Sequence, residues 1–276
     1  MEILDYFDRL AIIHLPERED RMRALRAELS RIGIDVHSPK VSIPKPPMPE
    51  TANGFPSRGV YGNLLSHLEI LESAYRDGLD TVWVLEDDAI FSKRFRDGQL
   101  SLIQCLQNNE WDQFFIGHSV PRGLPDSPTG LLRFSGSFLW AHCYAVHRRI
   151  MPRLIDYLRK TIDREVGHPD GGKMYIDAAF CLFRRFNPDV ICVVSSPCLS
   201  VQKGSPSSLN QYHWYDKSAA MAPFVTLARS IRDESWRRGW LRIGIDSDWS
   251  DDRDHPISEA RAWPGAVRIA EPSTAQ

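Results

Sequence analysis

The chain has 276 residues, of which 42% are hydrophobic and 25% charged, the balance of a globular protein long enough for one sizeable domain or two small ones. A formal net charge of −2 lacks the basic excess of nucleic-acid readers, so no nucleic-acid partner is expected. Five cysteines without CxxC spacing argue against a disulfide framework or a zinc cage and fit a reducing compartment. The opening residues carry neither a basic n-region nor an apolar h-region, and no run reaches the roughly 18 apolar residues that span a bilayer. A cytoplasmic protein is expected, or one peripheral at the inner membrane face.

Residues 10–15 (Leu-Ala-Ile-Ile-His-Leu) read as a first buried strand. An amphipathic helix follows over 16–32, with Met22, Leu25, Leu29 and Ile32 three and four apart and Gly33 as its stop. Arg18 and Arg21 fall in the strand-to-helix turn. There a diphosphate can meet both a helix N-terminus and a guanidinium fork, although arginines on the wet face of a helix are common. Residues 34–37 suggest a second short strand. Residues 39–56 hold six prolines and predict a loop. A helix over 61–75 places Leu64, Leu68, Leu71 and Tyr75 on one stripe, with His67 at its margin and Gly78 closing it. A histidine so placed is more often a packing residue than a catalyst.

The next stretch is Val82-Trp83-Val84-Leu85-Glu86-Asp87-Asp88. Its apolar half predicts a buried strand, and three carboxylates follow at once. In an extended chain Glu86 and Asp88 point one way and Asp87 the other. Like charges about 4 Å apart repel by roughly 4 kcal/mol at an effective dielectric near 20. The triplet therefore calls for a counter-ion, and oxygen ligands suit Mg²⁺ or Mn²⁺. A solvated turn is the plainer alternative. Ligands of open α/β sheets gather beyond the carboxyl ends of strands, where these acids sit.

Further elements are a helix over 96–108, a strand over 113–117, a turn-rich loop over 119–130 and a strand over 138–146. A helix from Arg149, a polar glycine-bearing loop over 163–172, a helix over 174–186 led by Asp177, and a strand over 190–194 come next. Residues 197–208 read as a loop holding Gln202 and Lys203. The β-α-β-α-β order predicts a Rossmann-like, mostly parallel sheet flanked by helices. Residues 1–210 form the expected catalytic domain and 211–276 a helical extension with a frayed tail. Residues 224–243 combine five arginines with Trp236 and Trp240, a pattern that suits either a helix packed on the core or a basic helix at an anionic membrane. The acidic run over 246–254 has no strand before it and reads as solvated.

Several of these stretches, in order over roughly residues 10–210, resemble glycosyltransferase family 25. The family includes bacterial lipooligosaccharide glycosyltransferases and procollagen galactosyltransferases. Ile12-Ile13-His14-Leu15 through Arg18 and Arg21 is similar to its opening strand and arginine-bearing turn. Gly62-Asn63-Leu64-Leu65-Ser66-His67-Leu68 is similar to its glycine-to-Ser-His helix, and Leu85-Glu86-Asp87-Asp88 to its Leu-Glu-Asp-Asp signature. The segment from Gly136 to Tyr144, the pair Ile176-Asp177 and the loop from Pro197 through Gln202 to Ser207 resemble later family elements. The chain departs from the family in having His14 where asparagine is common and Arg58 where an acid is common.

The resemblance implies a GT-A-like fold and inverting transfer of a sugar, commonly galactose from UDP-galactose, to a saccharide or glycoconjugate. Lipopolysaccharide or surface-glycan synthesis is the implied setting. It also implies Mn²⁺ or Mg²⁺ on Glu86 and Asp88, with donor binding by Arg18, Arg21, His67, Glu86, Asp87, Asp88 and Gln202. Asp177 becomes the general base, with Asp170 and Glu165 as rivals. A Mg²⁺-dependent phosphohydrolase or nucleotidyltransferase using the same acids is the alternative enzyme, and an inactive sugar-binding relative the alternative from another class.

Overall fold

A computed structural model of the chain describes residues 2–119, 127, 130–203, 222–238 and 261–262. It opens with α1 (Ile3–Tyr6), β1 (Arg9–Ile13), α2 (Glu19–Arg31), β2 (Val41–Ser42), α3 (Arg58–Arg76) and β3 (Thr81–Glu86). Next come β4 (Ala89–Phe91), α4 (Lys93–Asp97), α5 (Gln99–Gln107), β5 (Gln113–Phe115), β6 (Leu131–Arg133) and β7 (Cys143–His147). A 3-10 turn leads into α6 (Met151–Asp163), followed by α7 (Ile176–Phe186), β8 (Cys192–Ser195), β9 (Ser200–Gln202), α8 (Ala222–Arg237) and β10 (Arg261–Ala262).

Among the described residues, an eight-stranded sheet has the order β10-β6-β8-β5-β7-β3-β1-β2, and β4 with β9 forms a separate two-stranded sheet. β6 and β7 run against the other six strands. The α/β class and the mostly parallel, helix-flanked sheet are thus as the sequence predicts. β3 shows why the sheet is covered on both faces. Val82 and Val84 enter a core shared with α3, α6 and α7, while Trp83 and Leu85 enter one shared with α1, α2, α4 and α5, the two-residue alternation of a strand buried on both sides.

Several predicted boundaries move for local reasons. Residues 34–37 form no strand. The second strand is Val41–Ser42, inside the proline-rich stretch and at the sheet edge, where neighbouring prolines interrupt no inner ladder. Phe55, buried and stacked on Tyr61 at 4.7 Å, anchors the rest of that stretch. The α3 helix starts earlier than its apolar stripe because the Ser57 hydroxyl accepts from Val60 N at 3.1 Å, an N-cap. The helix predicted over 96–108 breaks at Gly98 into α4 and α5.

The strand predicted over 138–146 begins only at Cys143, since Trp140 has φ +74° and cannot continue a pleated strand. The loop predicted over 197–208 contains β9. The helix predicted over 224–243 appears as α8 as far as Arg237, its last residues, 239–243, lying outside the described residues, and α8 is packed on the body. Trp236 is buried with Ile90 and Val201, and Arg237 reaches Glu28 at 3.2 Å. No described helix is long and apolar enough to cross a membrane. The acidic run over 246–254 and the tail from 264 lie outside the described residues.

Candidate active site

The chain leaves β3 at Glu86 and turns at Asp87-Asp88 into β4, so the acidic triplet is the junction of the two sheets. Strand alternation carries Glu86 to the α3 side. There Oε1 accepts from Asn63 Nδ2 at 2.9 Å and from His67 Nε2 at 3.3 Å, and Oε2 accepts from Gln202 Nε2 at 3.3 Å. Asp87 goes to the α2 side, as alternation requires. Its carboxylate accepts from Arg21 Nη1 at 2.9 Å and pairs with His14 Nδ1 at 2.8 Å.

Asp88 departs from the extended-chain expectation. The turn brings it to 3.4 Å from Arg21 Nη1 rather than beside the Glu86 donors. Its Oδ1 is buried with no hydrogen-bond partner among the described residues. Strand pairing fixes the junction from both sides, through Asp87 N to Ile13 O at 3.1 Å, Glu86 N to His142 O at 2.8 Å and Lys203 N to Asp88 O at 2.7 Å.

These surroundings separate the acidities of the carboxyls. Burial pushes Glu86 upward, but hydrogen bonds from His67 and Asn63 outweigh it and hold the group down at about 2. Burial and the charge of Glu86 push Asp88 up to about 7, against the pull of Arg21. His67 is fully buried between Glu86 and Tyr144, whose hydroxyl lies 2.8 Å from Nδ1. Burial keeps the Tyr144 phenol protonated. His67 thus bridges the phenol and the carboxylate, with Nδ1 toward the Tyr144 hydroxyl and Nε2 toward Glu86.

A cleft opens over this junction. Its walls include Arg21, the proline segment at Pro46, Pro47 and Pro49, Arg58 and Asn63 of α3, all three acids and Gln202. Of the residues expected to bind a donor, Arg21, Glu86, Asp87, Asp88 and Gln202 therefore converge. His67 stands behind Glu86 and does not line the cleft. Arg18 occupies the N-cap position of α2 and binds Asp20 through contacts of 3.0 and 2.9 Å, also outside the lining.

Asp177 lies in the first turn of α7, where its carboxylate accepts from Trp140 N at 3.1 Å and Ala178 N at 2.8 Å. Burial pushes its carboxyl upward despite those bonds. Asp170 is exposed, and its carbonyl accepts from the Tyr157 hydroxyl and from Arg164. Glu165 is likewise exposed, in the same loop.

Sequence reasoning did not single out His14, Asn63, Tyr144 or Trp140 for these contacts. Asn63 was within reach, because it precedes His67 by one helical turn on α3.

No three histidine, cysteine, aspartate or glutamate side chains converge as a cation cage among the described residues. The donor set nevertheless fits a cation that takes most of its ligands from phosphate and water, as Mg²⁺ does. Among the described residues, Asp88 Oδ1 has no partner, and Glu86 Oε2 has only the 3.3 Å contact from Gln202.

The fold and junction together describe an α/β protein with an acid-bearing cleft at the carboxyl edge of its central strand. No family model matches the chain, and no curated protein matches it. The resemblance to glycosyltransferase family 25 therefore has no family-level support from these comparisons. Among the solved structures that are similar, two cover much of the chain. One is a glycosyltransferase involved in the glycosylation of the major capsid of PBCV-1, at 11% identity and TM-score 0.46, over 82% of this chain and 97% of that one. The other is mannose-1-phosphate geranyltransferase from Thermus thermophilus, at 14% identity and TM-score 0.38, over 68% of this chain and 72% of that one. At these values neither likeness bears on activity.

Proposed function

We propose that the protein is a metal-dependent inverting glycosyltransferase. By the family resemblance, the donor is UDP-galactose and the acceptor a saccharide or glycoconjugate of lipopolysaccharide or surface-glycan synthesis. The observation that carries this reading is Asp88, a buried carboxylate with one unpartnered oxygen in a cleft that also holds Arg21 and Arg58.

Asp88 Oδ1 and Glu86 Oε2 are the atoms offered to Mn²⁺ or Mg²⁺, and such a cation neutralises charge developing on a leaving nucleoside diphosphate. Arg21 and Arg58 supply fixed positive charge on the same wall. Asp87 is occupied by Arg21 and His14 and holds them in place. Asn63, His67 and Gln202 keep Glu86 ionised and oriented. Asp177, with its proton affinity lifted by burial, takes the proton from the attacking acceptor hydroxyl.

The test is a panel of nucleotide sugars with Mn²⁺, read first as a rise in melting temperature and then as nucleotide release. Release that requires a sugar acceptor and stops in excess EDTA is the expected result. Steady release without an acceptor indicates the phosphohydrolase instead. Undiminished transfer in EDTA removes the cation from the mechanism.

A further inference from the structure

With Asn53, Trp140 is one of two residues other than glycine with positive φ among the described residues. Its φ of +74° is unusual for any residue but glycine and an outlier for a bulky aromatic one. Such conformations persist only where the surroundings enforce them, and they cluster at functional sites. The enforcing contacts are visible. Trp140 N donates to Asp177 Oδ2 at 3.1 Å. The indole packs against the Ile90, Val201 and Trp236 cluster and meets the His142 ring edge-on at 5.9 Å. The side chain is still only half-buried.

Its position is also set. β7 is antiparallel to β3, with Cys143 opposite Leu85 and the His142 carbonyl bound to Glu86 N. Residues just before β7 therefore lie beyond the carboxyl end of β3, at the edge that carries the acids. Val201, which packs with the indole, is the neighbour of Gln202, which touches Glu86.

We propose that Trp140 and Asp177 form an acceptor subsite for a saccharide ring, its apolar C–H face against the indole and a hydroxyl directed to the carboxylate. The proposal rests on the glycosyltransferase reading and extends it to the acceptor. An indole offers a rigid apolar surface at small entropic cost, and a carboxylate is a strong acceptor for sugar hydroxyls. The strained peptide joins the two by making one residue supply both the surface and the amide that orients Asp177.

The amide and the indole are separable by substitution. Trp140→Gly keeps a backbone at home with positive φ and hence the amide, but deletes the ring. Trp140→Asn also tolerates that conformation and serves if the glycine variant is unstable. Trp140→Phe keeps an aromatic surface.

The probes are methyl β-D-galactopyranoside and methyl β-D-glucopyranoside, followed by saturation-transfer NMR on the full chain, with UDP affinity measured in parallel by calorimetry in Mn²⁺. Saturation of ring C–H protons is expected with the wild type and with Trp140→Phe. The glycine and asparagine variants are expected to weaken glycoside binding by about tenfold or more while UDP affinity is kept. The proposal is overturned by wild-type protein that binds neither glycoside, or by ring-less variants that bind them equally well. Parallel loss of UDP affinity also overturns it, because the indole then only supports the fold. Failure of the underlying reading looks different, since UDP then fails to bind the wild type at all.

Discussion

Glu86 and Asp88 stand two positions apart, yet their neighbours drive their acidities in opposite directions, to about 2 and about 7. A carboxyl whose native pKa lies above its unfolded value binds its proton more tightly when folded. Ionising Asp88 therefore costs stability as pH rises from about 4 to about 7. A cation on Asp88 offsets that cost only where the group is ionised. The rise in melting temperature on adding Mn²⁺ is accordingly expected to be larger at pH 8 than at pH 5, and absent in Asp88→Asn. Equal shifts at both pH values would place the cation elsewhere. Asp177 makes a second prediction at this scale. Asp177→Asn keeps the shape and, with its amide oxygen on Trp140 N, gives up the contact with Ala178 N together with the basicity, so turnover should fall by roughly 10²–10⁴-fold with donor affinity kept. Near-normal single-turnover rates in that variant would send the base role to another group.

The elements differ in how far the sequence announced them. β3 and its two-sided burial were legible in Val82-Trp83-Val84-Leu85, and alternation correctly sent Glu86 and Asp87 to opposite faces. Asp88 was not legible, because a turn after Glu86 breaks the alternation and brings it to Arg21. β4 and β9 are three residues each, too short for any periodicity, and they pair across more than a hundred positions of sequence. The backbone of Trp140 left no trace, since nothing local marks a tryptophan for positive φ. The helix α8 was readable as amphipathic, but its packing partner was not. Its buried Trp236 closes the cluster over Ile90 and Val201, and Trp236→Ala should destabilise the protein by about 3–5 kcal/mol, checked by urea denaturation. Arg232, Arg237 and Arg238 are paired with Asp233, Glu28 and Glu234. Vesicle sedimentation is therefore expected to show no preference of this helix for anionic over neutral lipid.

Across the whole molecule, the centre of the sheet is sensitive to acid. His142 is fully buried and lies so close to Gly117 that a Cβ there would stand 2.3 Å from Nε2. His118 is buried nearby, with Nε2 donating to Ser195 O at 2.7 Å. Burial pulls both imidazoles down to about 4. A histidine held below its unfolded value favours the native state at neutral pH, and that contribution is lost as pH falls from about 6.5 towards 4. Urea midpoints should thus drop between pH 7 and pH 5, before most carboxylates titrate, and the drop is read in Asp88→Asn, which removes the opposing gain of Asp88 over the same interval. An unchanged midpoint over that interval would mean that these rings charge without penalty.

The place of β7 between β3 and β5 has a consequence for the order of assembly. β1, β2 and β3 are parallel neighbours drawn from one continuous stretch, residues 9–86, so this wedge needs no later residue to pair. β5 and β8 reach it only through β7, and the ligands of Glu86 include Gln202. Loop closure delays contacts of such separation. During synthesis or refolding the acidic turn is therefore built early, with His14, Arg21, Asn63 and His67 at hand, and it lacks the contacts of His142, Gln202 and Lys203 until the chain beyond residue 200 arrives. Pulse-labelled hydrogen exchange should show amides of β1 and β3 protected before those of β4 and β9, making the pairing over the acidic junction the last seam to close.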